Sequence, residues 1–172
     1  MGKNPFTEFS SFFPDPKDIK PLAIAFAQMM FAHARFEREV RDLQAAITCV
    51  HGFGEQRRNQ WGARERPDRM TKLIAEHRGA IPEAEPIKNI LTKARLACED
   101  RNLLAHGEWW RFNSVTSTID VRGGTQWNDD SFPESKPWTE AEIVAVTERF
   151  KDFEAELYKL RSAIEKRTPC PE

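Results

Sequence analysis

Apolar side chains recur at helical spacing along several stretches of this chain, and each stretch predicts an amphipathic helix. The first runs from Asp18 to about Val50, with Pro21 tolerated in its first turn. Ile24, Met29, Phe31, Phe36, Val40, Leu43 and Ile47 mark its apolar positions, and polar content rises after His33. The half from Leu22 to Ala32 is apolar nearly all round, which predicts cover on more than one side. Gly52 and Gly54 stop this helix, and Gly52-Phe53-Gly54 is too short for a phosphate loop. A short helix from about Pro67 to His77 turns Met70, Leu73 and Ile74 inward. Pro82 and Pro86 open a further helix, from about Glu83 to Ala105, with Ile87, Ile90, Ala94, Ala97 and Leu104 as its stripe. The last runs from about Glu140 to Lys166 and buries Ile143, Val146, Phe150, Phe153, Leu157, Leu160 and Ile164. Thr139-Glu140-Ala141-Glu142 in front of it reads as a capping box.

Between those last two helices the period changes. Glu108–Phe112 and Thr116–Val121 are rich in β-branched and aromatic residues and predict two strands across a turn near Asn113-Ser114. Arg122-Gly123-Gly124 is a second turn, and Thr125-Gln126-Trp127 a brief third strand. Asn128 to Pro137 reads as a polar, proline-bearing loop. The expectation is a mainly α fold with long first and last helices and a small β-hairpin or meander at 108–128. So small a sheet must pack on the helices to be stable. Residues 1–17 carry Pro5, Pro14 and Pro16 with Phe6, Phe9, Phe12 and Phe13, the pattern of an extended arm that packs on its own surface or a partner's. Residues 18–168 are expected to form one helical domain.

Composition narrows the function classes. With 172 residues the chain is long enough to bury a core. Its 26 Lys plus Arg face 27 Asp plus Glu, a balance that excludes bulk electrostatic binding to nucleic acid and makes any RNA contact local. Positive charge is concentrated at 55–80, where Arg57, Arg58, Arg64, Arg66, Arg69, Lys72 and Arg78 surround Trp61. Arginine interleaved with an aromatic suits phosphate contact and base stacking, and equally suits a solvated connecting loop. Cys49, Cys98 and Cys170 are odd in number with no CxxC pair, which predicts reduced thiols and a cytoplasmic setting. Leu22–Ala32 is too short to span a bilayer, so no membrane partner is expected. His33, His51, His77 and His106 form no HExxH, and no Walker, dinucleotide or GxSxG pattern occurs, so neither metal nor cofactor is expected.

The polar turns at the end of the third helix stand apart: Glu99-Asp100-Arg101-Asn102, then His106 in the last turn and Gly107 where a left-handed cap is wanted. Arg95, Glu99, Asn102 and His106 share one helix face, whereas Arg101 projects along the apolar stripe. Arg101 and His106 are thus about 140° and about 7.5 Å apart on the helix, meeting only above its end or across an interface. Arg101 on such a stripe is ordinarily half of an ion pair with Asp100 or Glu99, and His106 ordinarily bonds the last carbonyls.

Arg101-Asn102-Leu103-Leu104-Ala105-His106 is an R-N-x-x-x-H motif, and in its helical setting it resembles the HEPN domain. The resemblance covers six residues by motif and about 140 by helical layout, and it implies a helical bundle. It further implies a metal-independent endoribonuclease acting as a homodimer, with a toxin or phage-defence role and an antitoxin or other protein as a partner. On that resemblance His106 is the proton carrier, Arg101 the phosphate clamp, Asn102 the group that orients His106, and Glu99 a support for either. Arg57, Arg58, Trp61, Arg64, Arg66 and Arg95 are the expected RNA-binding residues. A non-catalytic dimerisation module and a nucleotide sensor are the alternatives.

Overall fold

The elements follow in the order α1 (Pro16–His51), α2 (Arg66–Glu76), α3 (Ala84–His106), β1 (Glu108–Asn113), β2 (Thr118–Arg122), β3 (Ser135–Thr139) and α4 (Glu140–Arg167). The computed structural model describes residues 16–51, 66–76, 79, 81–123 and 135–167. Most of the expected arm, Arg57, Arg58, Trp61 and Arg64 of the basic segment, and the strand expected at 125–127 lie outside the described residues. No described helix is long and apolar enough to cross a membrane.

The chain divides into two compact units. Described residues of the first are 16–30, 99–123 and 135–147. Those of the second are 31–51, 66–76, 79, 81–98 and 148–167.

In the first unit β1, β2 and β3 form an antiparallel sheet in that order. Phe112, Ile119 and Trp138 stand opposite one another across the strands, as do Trp109 and Val121. Ile119, Val121 and Trp138 are buried, together with Leu104 of α3, Leu22, Ala25 and Met29 of α1, and Ile143 and Val146 of α4. Residues 114–117 close the hairpin. There Asn113 Oδ1 accepts from the Val115 and Thr116 N–H groups, and Ser117 takes a positive φ of 51°. The β region extends beyond the expected 108–128, because β3 occupies part of what reads as a polar loop. Trp138 gives β3 its buried anchor. Thr139 then caps α4 as expected: the Glu142 N–H donates to Thr139 Oγ1 at 3.2 Å, and the Thr139 N–H donates back to Glu142 Oε2 at 2.7 Å.

The second unit is helical. Phe36, Val40, Leu43 and Ile47 of α1 are buried, as are Met70, Leu73 and Ile74 of α2, Ile87, Ile90, Leu91, Ala94 and Ala97 of α3, and Phe150, Leu157 and Ile164 of α4. The Phe36 and Phe150 rings lie 5.6 Å apart, and His33 meets Phe150 edge-on at 5.0 Å. Arg161 of α4 donates to Glu39 Oε1 of α1 at 2.6 Å.

Some expectations are corrected. Helix α1 begins at Pro16, so residues 16 and 17 belong to it, and Pro21 lies in its second turn, where it removes the N–H that would reach Lys17 O. Ile24 and Phe31, placed on the core stripe by spacing, are 48% and 74% exposed, because α1 is so apolar that periodicity alone does not select its inner face. Cys49 is disulfide-bonded rather than reduced, while Cys98 is in no disulfide.

Candidate functional site

The chain must turn from α3 directly onto β1, and Gly107 makes that turn. Its N–H donates to Leu103 O at 2.8 Å, so the helical ladder continues to the junction. A Cβ here would sit 2.4 Å from Leu103 O and 2.6 Å from both Arg122 O and Val121 Cγ1. The expected left-handed cap is absent, since the φ of Gly107 lies outside that region. Glycine is needed for the close approach of the β2 backbone instead. Trp109 reinforces the junction by donating Nε1–H to Leu104 O at 2.9 Å, which satisfies one of the carbonyls the helix end leaves open. Phe26 packs on the Trp109 ring edge-on at 5.4 Å.

Within this junction Arg101 and His106 come together in one chain. The long Arg101 side chain spans the helical offset, and its Nη1 stands 3.3 Å from His106 Nε2. The same Nη1 donates to Asn102 Oδ1 at 2.9 Å. Asn102, expected to orient His106, therefore holds Arg101 in place instead. A guanidinium has donors and no acceptor, so its contact with His106 is a hydrogen bond only while Nε2 carries a lone pair. The ring proton then belongs on Nδ1.

The ordinary role for an arginine at this position, an ion pair with Asp100, is not adopted. Asp100 Oδ1 is 3.1 Å from Lys136 Nζ on β3, and that ammonium also stands 3.8 Å from the centroid of the Trp138 ring. Among the described residues no carboxylate pairs with Arg101, and its Nε is buried without a hydrogen-bond partner. Asn102 and His106 are exposed. The arrangement is a guanidinium, an imidazole and an amide at the open end of a helix, suited to holding an anion and moving a proton beside it.

Of the other expected site residues, Glu99 and Arg95 are exposed positions on α3, and Arg66 opens α2. The second unit carries a groove of about 660 Å³, lined in part by Arg35, Arg38, Lys159 and Tyr158. Its guanidiniums have carboxylate partners: Arg35 pairs with Glu154, Arg38 with Asp42 and Arg161 with Glu39. Arg101 differs from them in this respect. The contribution of Lys136 has no local signal in the sequence, because it lies 36 residues from Asp100.

The chain matches no protein-family model, no curated protein and no solved structure.

Proposed function

We propose that this chain is a metal-independent endoribonuclease of the HEPN type, with Arg101 and His106 as its working pair. The observation that carries the proposal is the 3.3 Å contact between Arg101 Nη1 and His106 Nε2, with no carboxylate on the guanidinium among the described residues. Such a pair lacks an anion, and a phosphodiester is an anion of the right shape for a guanidinium fork.

The chemistry follows from the donors. A phosphate drawn onto Arg101 competes for Nη1 with the neutral imidazole, and the charge-assisted bond is the stronger. Nε2 is then released with its lone pair, ready to take the proton of the ribose 2′-OH. The 2′ oxygen attacks phosphorus, Arg101 stabilises charge on the non-bridging oxygens, and the 5′ oxygen departs as it is protonated. The products are a 2′,3′-cyclic phosphate and a 5′-hydroxyl. One histidine cannot be base and acid at once, so the proposal includes a two-fold homodimer that supplies the second His106. A toxin or defence role, an antitoxin partner and a cytoplasmic setting belong to the proposal through the family resemblance alone. The Cys49 disulfide is the observation that opposes the cytoplasmic setting.

The test is incubation of the full chain with single-stranded RNA in EDTA. Cyclic phosphate ends and an intact 2′-deoxy control are expected, as is loss of cleavage in His106→Ala with the melting temperature unchanged. Cleavage that survives in His106→Ala, or none by the wild type, overturns the proposal.

A further inference from the structure

Two adjacent tryptophans on β1 serve different ends. Trp109 pairs with Val121 and bonds the last turn of α3, whereas Trp110 is the extra residue of a β-bulge: the register passes from Trp109 opposite Val121 to Arg111 opposite Asp120. A bulge of this kind turns the inserted side chain and its neighbour to the same face. The contacts agree. Arg111 Nε donates to Asp120 Oδ2 at 3.1 Å, and the Arg122 guanidinium lies 3.4 Å from the centroid of the Trp110 ring. Asp120 and Arg122 are two residues apart on β2 and so share a face. Trp110, Arg111 and Arg122 therefore form one cluster on the side of the sheet away from Ile119 and Val121.

Trp110 and the Arg111 side chain are the exposed members of this cluster, which lies close to the candidate site. Trp110 is 38% exposed and the Arg111 side chain 63%. Arg122 O lies 2.6 Å from where a Cβ of Gly107 would stand, so the β2 backbone touches the residue directly after His106. An exposed indole with a guanidinium stacked on it, and a second arginine alongside, offers a flat surface and positive charge together. Single-stranded nucleic acid matches both, with bases that stack and phosphates that pair. Asp120 pairs with Arg111, the neighbouring Arg101 has no carboxylate partner among the described residues, and the exposed stacked indole favours a strand that carries bases as well as phosphates over an acidic-faced protein.

We infer that the outer face of the sheet is a nucleobase platform. Trp110 stacks a base of a single-stranded RNA, Arg122 stiffens the indole from one side, and Arg111 meets the adjacent backbone. The inference deepens the ribonuclease proposal, on which it rests for the identity of the strand. It names single-stranded RNA, gripped beside the phosphate at Arg101, as the substrate class.

The test separates binding from cleavage. Fluorescence anisotropy with a fluorescein-labelled, single-stranded 2′-O-methyl RNA reads binding alone, because the attacking hydroxyl is blocked. Trp110→Ala is expected to weaken binding about 10- to 100-fold, as for loss of a stacked base, and Trp110→Phe to keep most of it. Replacing the bases of the strand by abasic sites is expected to weaken wild-type binding in the same way, a readout that does not depend on any variant folding. Equal binding by Trp110→Ala, equal binding of the abasic strand, or no binding by the wild type overturns the platform. Cleavage of unmodified RNA, measured separately, decides the ribonuclease proposal. Wild-type cleavage with an unchanged KM in Trp110→Ala removes the platform and leaves the nuclease standing.

Discussion

Arg101 spans five residues of its own helix to bring Nη1 within 3.3 Å of His106 Nε2, and it does so without a carboxylate partner among the described residues. A guanidinium held against an imidazole gains little in the folded protein. Its buried, unbonded Nε adds a desolvation cost that removal of the side chain would relieve. Arg101→Gln should therefore leave the melting temperature level or slightly raised, while RNA cleavage falls about 10²- to 10³-fold, as for loss of a preorganised charge donor. Arg101→Lys should not restore it, since an ammonium lacks the planar fork. A large drop in stability with either variant would return Arg101 to a structural role.

Gly107 is constrained by contact. Two of the three atoms that a Cβ would meet are backbone oxygens, those of Leu103 and Arg122, and neither moves without moving α3 or β2. Gly107→Ala is expected to cost about 2–3 kcal/mol, the upper part of the overpacking range. Chemical denaturation would measure it. A loss below that range would mean that the helix–sheet junction yields easily.

The neighbouring tryptophans should separate under the same substitution. Trp109→Phe keeps a ring against Phe26 but deletes the N–H to Leu104 O, and it should lower stability by about 1 kcal/mol. Trp110→Phe keeps an aromatic face beneath the Arg122 guanidinium and should change stability less. Equilibrium unfolding of the two single variants makes the comparison.

In the second unit, Glu39 and Arg161 pair with side chains only 9% and 19% exposed. The hydrogen bond to Glu39, aided by Glu165, raises the pKa of Arg161 above its ordinary value despite burial, so the guanidinium stays charged at every pH at which the protein folds. Arg161→Met should cost about 3 kcal/mol by leaving Glu39 without its partner, and adding Glu39→Leu should recover most of that. A double variant as unstable as the sum of the singles would show the pair to be uncoupled.

Cysteine labelling tests the bonded state of Cys49. Under denaturing conditions without reductant, iodoacetamide should modify Cys98 and leave Cys49 unmodified until a reductant is added, as read by peptide mass. Modification of Cys49 without reductant would restore the expectation of reduced thiols.

What the sequence determined by itself is what neighbours three or four residues apart decide. The spans of α1, α3 and α4 follow from spacing, and the α4 cap follows from Thr139 and Glu142, whose side chains reach each other's N–H within one turn. Tertiary structure decided the rest, because the relevant partners are distant in the chain. Asp100 takes Lys136 rather than Arg101, since β3 returns beside the end of α3. Ile24 and Phe31 face outward because the packing of α1, and not its periodicity, selects the buried face. Trp110 turns to the outer face of the sheet because the register with β2 slips by one residue, and no single strand carries its own register.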